Sequence, residues 1–209
     1  MAAGLYSAGP LASAEVYDAT DNTWNTTGAM ISTRHVHSAT LLAGGKVLVA
    51  GGYNSTSLAS AEVFDPSTTS WSSAGSMITA RYEHTSTLLT ATGKVLIVGG
   101  YSSSAPFVSA ELFDPFATSW ASAGTMTVAR DSQTATVLSS GSVLVLGGAS
   151  GALSTNADLY NPVSKAWSLA APKPIARTSH STTLQPFQGH FPRDFANNCA
   201  VDTCGLSTC

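Results

Sequence analysis

Charge is scarce in this chain. Its 209 residues include 9 Lys and Arg against 12 Asp and Glu, together 10% of the sequence, for a formal net charge of −3. Nucleic acid and anionic membrane surfaces are bound by clustered basic side chains, so this balance excludes both as partners. Cysteine is absent from residues 1–198; Cys199, Cys204 and Cys209 all fall in the last eleven positions. The body of the chain therefore holds no disulfide and no thiolate metal site. The terminal C-x4-C-x4-C spacing lacks a zinc pattern, since a fourth ligand would have to be His190 or Asp202. No metal or cofactor is expected. Apolar runs are strand-sized, well short of the ~20 residues a membrane helix needs, and, with Met1 already inside the repeat register, no signal peptide is expected within this sequence. The Ser/Thr/Gly-rich surface composition favours an extracellular or cell-surface setting for the parent protein without fixing the compartment. Helical periodicity is missing throughout, which leaves an all-β chain.

What is present is a beat. Trp24, Trp71, Trp120 and Trp167 are separated by 47, 49 and 47 residues, and Arg34, Arg81, Arg130 and Arg177 follow each tryptophan ten positions later. A period of this length built from strand-like pieces signals repeated supersecondary units. The unit around Trp120 reads as four strands, here called a to d. His84–Leu89 forms strand a. The run Lys94-Val95-Leu96-Ile97-Val98, closed by Gly99-Gly100, forms strand b. Ala110–Asp114, stopped by Pro115, forms strand c, and Thr118–Met126 forms strand d. Proline donates no ladder hydrogen bond, and Gly, Pro, Ser and Asp bound every piece. Strand b is continuously apolar, so both of its faces are predicted to be buried. Four antiparallel strands per period describe a propeller blade.

The repeated elements are the double glycines Gly51-Gly52, Gly99-Gly100 and Gly147-Gly148, an aromatic on strand c (Tyr17, Phe64, Phe113, Tyr160), and the tryptophan on strand d. In this arrangement the chain resembles the kelch-repeat family, closest to the bacterial, galactose-oxidase-like propellers, over roughly residues 1–186. The paired glycines suit a turn in which a side chain would clash or require a positive φ. The aromatics have the bulk to fill the wedge between blades. Carboxylates recur once per unit at Glu15, Glu62, Glu111 and Asp158. They are expected to pair with the periodic arginines or to hold loop backbone, because isolated buried charges are costly.

Aligned to the beat, the chain divides into a leading partial unit (about 1–30), three complete units (34–77, 81–126, 130–173) and a trailing strand a (177–186). Residues 187–209 form a divergent cysteine-containing tail, expected to be poorly ordered. Two arrangements follow. Either the trailing strand joins the leading b-c-d strands in a composite fourth blade, or the sequence is part of a longer propeller, the arrangement favoured here. Open blade edges would then offer a surface for self-association.

His37, His84 and His180 occupy one repeat position, with Gln133 as the fourth member. A register-locked residue more often serves the blade than a catalytic centre. Functional candidates are instead the loops that vary between units. The resemblance implies that ligands lie on the face formed by the loops after the double glycine and those joining strand d to the next strand a. Carried onto this chain, those loops supply Arg34, His35, Tyr53, Asn54, Arg81, Tyr82, Glu83, Tyr101, Arg130, Asp131 and Arg177. Tyrosine and arginine are also the residue types that anchor binding surfaces. The expected function is a non-catalytic binding or scaffold module for a protein or glycan. The alternative is a carbohydrate-active enzyme of oxidase, epimerase or lyase type, or a degenerate or truncated relative of one. Galactose-oxidase-like relatives use copper with a cysteine–tyrosine crosslink, and Tyr53, Tyr82 and Tyr101 have no cysteine in any repeat to pair with. Glu83 and Asp131, on neighbouring loops, are the carboxylates that could act in acid–base chemistry.

Overall fold

The structure is a computed structural model, and it describes residues 5–6, 9–102, 104–185, 199–202 and 207–208. It is all-β, and its body is three four-stranded antiparallel blades. In the first, strands a to d are Ser38–Leu41, Val47–Ala50, Ser60–Asp65 and Ser70–Ser76. In the second they are Thr85–Leu89, Lys94–Val98, Ser109–Asp114 and Ser119–Thr125. In the third they are Thr134–Val137, Val143–Leu146, Ala157–Asn161 and Ala166–Ala170. Strand order follows chain order in every blade, the meander that short tight turns permit. The Asp-Pro stop sits where strand c ends, and Asp114 also accepts the amide of Phe116 at 3.0 Å to close the turn into strand d.

The unbroken apolar run of strand b has a direct explanation. Successive side chains of a strand point to opposite faces, and each face of a blade packs on a different neighbour. Val95 and Ile97 join Leu48, Ala50 and Met77 of the first blade. Leu96 and Val98 join Val143, Val145 and Tyr160 of the third. The core therefore lies between blades, and strand b has no solvent side.

Trp71, Trp120 and Trp167 each seal a boundary between units from the rim. Trp120 packs on Phe113 with ring centroids 4.9 Å apart and donates its indole N–H to the Ala74 carbonyl of the preceding blade at 2.8 Å. Trp71 and Trp167 make the same kind of bond to Gly28 and Ala123, both at 2.8 Å. Trp24 differs: it pairs with Tyr17 but is 58% exposed.

At the inner edge, strands a of adjacent blades are linked through side chains. Ser38 meets His84 Nε2 at 2.7 Å, Thr40 meets Ser86, and Thr136 meets Thr182 at 2.6 Å. Above them the main chain forms a continuous run across the blades. Glu83 N–H donates to Val36, Ser132 N–H to Glu83 and Ser179 N–H to Ser132, at 3.2, 3.1 and 3.0 Å. All four of these residues hold a positive φ, between 45° and 55°.

The expected pairing of arginine with carboxylate is present in all three blades. Arg34 meets Glu62 at 2.6 Å, Arg81 meets Glu111 at 2.9 Å and Arg130 meets Asp158 at 2.5 Å. Each carboxylate also accepts amides from the loop entering its blade: Ile31 and Ser32 on Glu62, Ile78 and Thr79 on Glu111, and Thr127 on Asp158. The pair thus anchors the crossover between blades.

At the ends, Glu15–Asp18 pairs with Thr23–Thr26 as strands c and d of the leading unit. Its expected strand b lies largely in residues 1–4, outside the described residues. The trailing strand Thr182–Gln185 takes Cys199–Asp202 as its neighbour, followed by Ser207–Thr208, and among the described residues pairs with neither Glu15–Asp18 nor Thr23–Thr26. The expectation of a poorly ordered tail falls, for residues 187–198, 203–206 and 209, outside the described residues.

Candidate functional site

The two loop sets meet at one end of the blades. His35 and Tyr53 bridge each other through their main chains, with N–H to O distances of 3.2 and 2.9 Å. Tyr82 and Tyr101 do the same at 3.1 and 2.7 Å, and Asp131 and Ala149 at 3.1 and 3.0 Å. Each bridge fixes the loop before strand a against the loop after the double glycine. The glycines make this approach feasible: a Cβ on Gly100 (φ +90°) would sit 2.6 Å from the Tyr82 carbonyl oxygen.

This arrangement produces an aromatic row. His35 packs edge-on against Tyr53 at 5.6 Å between ring centroids, Tyr53 against Tyr82 at 5.4 Å, and Tyr82 against Tyr101 at 5.7 Å. All three contacts have the edge-to-face geometry that the ring quadrupole favours. The middle contact crosses from the first blade to the second, so the row is continuous over both. Asn54 sits beside it and donates to Thr33 Oγ1 at 2.6 Å, tying the loops further. All four rings are partly exposed.

At the third blade the aromatic pair is replaced by Asp131 and Ala149, and the row ends in carboxylates. Ser132 Oγ lies 3.3 Å from a Glu83 oxygen and 3.2 Å from an Asp131 oxygen. Partial desolvation, and then the Asp131 carboxyl beside it, raise the Glu83 carboxyl above its ordinary value. The Tyr82 phenol is also raised, by desolvation first and then by the neighbouring Glu83 carboxylate.

The structure thus brings together His35, Tyr53, Asn54, Tyr82, Glu83, Tyr101 and Asp131. It places Arg34, Arg81 and Arg130 elsewhere: all three are fully buried, and their guanidinium groups lie inside the blades. Arg81 also caps the carbonyls of Gly99 and Ser109, at 2.7 and 3.0 Å, and lies 5.0 Å over the Phe107 ring. Their expected place on the face is corrected accordingly, because a carboxylate and strand-end carbonyls inside each blade hold every one of them. Arg177 is partly buried at the corresponding position before the trailing strand.

The histidine column belongs to the blades as well. Burial, followed by the Arg81 charge, pushes His84 down to about 3. Burial, followed by Arg34, pushes His37 down to about 4. Both are neutral near pH 7. Gln133 fills the equivalent place and donates to Val98 at 2.7 Å. Reasoning from the sequence missed Ser132, which links the two carboxylates, and Phe107. Ser132 was findable, since it occupies the repeat position of Glu83. A separate cleft of about 390 Å³, lined by Leu42, Lys46, Val63 and Phe116 among others, lies between the first two blades and involves neither loop set.

Comparison with known proteins agrees with this architecture. A search of curated protein sequences found no match. Among solved structures, the chain is similar to a novel fungal alcohol oxidase with catalytic diversity among the AA5 family, in complex with copper. The TM-score is 0.51 at 15% identity, covering 82% of this chain and 51% of the oxidase, so the chain spans about half that protein's length and the likeness is one of fold. Among the described residues, no three His, Cys, Asp or Glu side chains are grouped so as to hold a metal ion. Residues 7–188 match the model of the KLHDC2/KLHL20/DRC7 Kelch-repeats domain, and with this match over most of its length the chain belongs to the kelch-repeat family.

Proposed function

We propose that the chain is a non-catalytic binding module presenting the face of His35, Tyr53, Tyr82 and Tyr101, edged by Glu83 and Asp131, to a protein or glycan. The observation that carries this reading is the continuity of the aromatic row across a blade boundary, at 5.4 Å between Tyr53 and Tyr82. Aromatic rings locked by backbone bridges lose little entropy on binding, and tyrosine is an anchor residue at interfaces. Membership of a family of repeat scaffolds supports the protein-binding form of this reading.

A second reading, a carbohydrate-active enzyme or its degenerate relative, draws on the two neighbouring carboxyls. A Glu83 carboxyl raised above its ordinary value, with a second carboxyl beside it, has the arrangement of an acid paired with a base. Glycan and peptide arrays probed with the intact chain separate the two. Saturable binding that Tyr82→Ala abolishes, with the bound glycan recovered unchanged, is the expected result. Turnover of an arrayed glycan that disappears in Glu83→Gln would establish the enzyme instead. Absence of any Tyr82-dependent binding would remove the binding reading.

A further inference from the structure

We propose that the ligand of this face is a cationic peptide segment, with a Lys or Arg side chain lying along Tyr82 and Tyr101 and its charge between Glu83 and Asp131. The inference rests on the reading of the face as a binding surface and adds the chemistry of what it takes.

Three observations converge on a cation. The first is the row itself, a set of partly exposed aromatic rings of the kind that attracts an ammonium or guanidinium group. The second is charge balance. The arginines of the first three loops, which would have made the face electropositive, are buried and neutralised by Glu62, Glu111 and Asp158. Lys46 and Lys94 pair with Asp65 and Asp114 on the turn side of the blades. Glu83 and Asp131 are thus the charges that Arg81, Arg130 and their partners leave on this part of the face. The third is the relation between these two carboxyls. They share the Ser132 hydroxyl, and the Asp131 carboxyl adds to the desolvation that disfavours the charged form of Glu83. A cation placed between them would offset the repulsion between two neighbouring carboxylates. The aliphatic stem of Lys or Arg suits the tyrosine rings, as its head suits the carboxylates. A neutral glycan would use the rings and leave this charge unanswered.

The test is calorimetric titration of the full chain with a short peptide alternating Lys and Gly, and with Ser and Glu counterparts of the same length. Cellohexaose serves as a neutral glycan probe. The Lys peptide should bind at least about tenfold more tightly than the Ser peptide. In Glu83→Gln plus Asp131→Asn, with thermal unfolding checked to be unchanged, that preference should fall to about threefold or less. Equal or better binding of the Ser or Glu peptide, or a preference that survives the double substitution, overturns the proposal. Cellohexaose binding that requires Tyr82, without Lys-peptide binding, would overturn the cationic ligand while leaving the face a binding surface. If no probe shows Tyr82-dependent binding, both readings fail.

Discussion

Arg81 and Glu111 meet at 2.9 Å inside the second blade, with both side chains closed off from solvent. Removing one partner of such a pair leaves a buried charge without compensation. Glu111→Gln should therefore lower stability by about 3–5 kcal/mol, partly through the Ile78 and Thr79 amides that Glu111 also holds. Lys94→Met breaks a partly exposed pair with Asp114 and should cost less than about 1 kcal/mol. Urea denaturation midpoints for the two variants measure the contrast; equal shifts would contradict it.

The tryptophans, identical in sequence position, should differ in effect. Trp120→Ala removes a ring packed on Phe113 and an indole bond to the neighbouring blade, and should cost about 3–5 kcal/mol. Trp24 is 58% exposed, and its replacement should cost about 1 kcal/mol or less. Chemical denaturation of each variant gives the comparison.

Gly99→Ala should be among the most damaging single substitutions. Gly99 holds φ +61°, and an added Cβ would stand 2.5 Å from the Arg130 carbonyl oxygen and 2.7 Å from the Gln133 amide nitrogen. With backbone on one side and a bonded side chain on the other, the expected loss is about 4 kcal/mol or more. Gly141 has a similar φ of +82° and open space where its Cβ would go. Gly141→Ala isolates the conformational cost, about 1–2 kcal/mol. Thermal melts of the pair test this.

Acid should destabilise the fold through its histidines. His84 is held near 3 and His37 near 4, below the ordinary value of 6.5. The unfolded chain therefore takes up protons below about pH 6.5 that the folded chain refuses. Stability is fully present above that pH and declines as pH falls from 6.5 towards 4 and 3. His84→Gln, which copies the natural Gln133, should flatten the decline. Unfolding midpoints measured across that window for both proteins check the sign.

Much of this molecule could be read from one repeat. The four strands around Trp120 fall within a residue or two of their expected bounds, because the double glycine, the Asp-Pro stop and the apolar run each act locally. The arginines were harder. Their period marks a structural role and their chemistry suggests a binding one, and which prevails depends on whether Glu62, Glu111 and Asp158 reach them inside the blade. The aromatic row was harder still. Tyr53 and Tyr82 are 29 positions apart, and their contact exists because two successive blades pack side by side. The proximity of Glu83 to Asp131 has the same origin.

The main-chain run through Val36, Glu83, Ser132 and Ser179 commits the amides of the last three to the blade before and leaves the side chains of all four unclaimed by the core. Position 83 is thus a socket: the protein holds its backbone from both sides and is indifferent to much of what projects from it. The left-handed conformation there admits Asn, Asp and Gly most readily. Substitutions to Asn, Asp or Gly at 83 or 132 would therefore change what the chain presents there while leaving the spacing of the blades as it is.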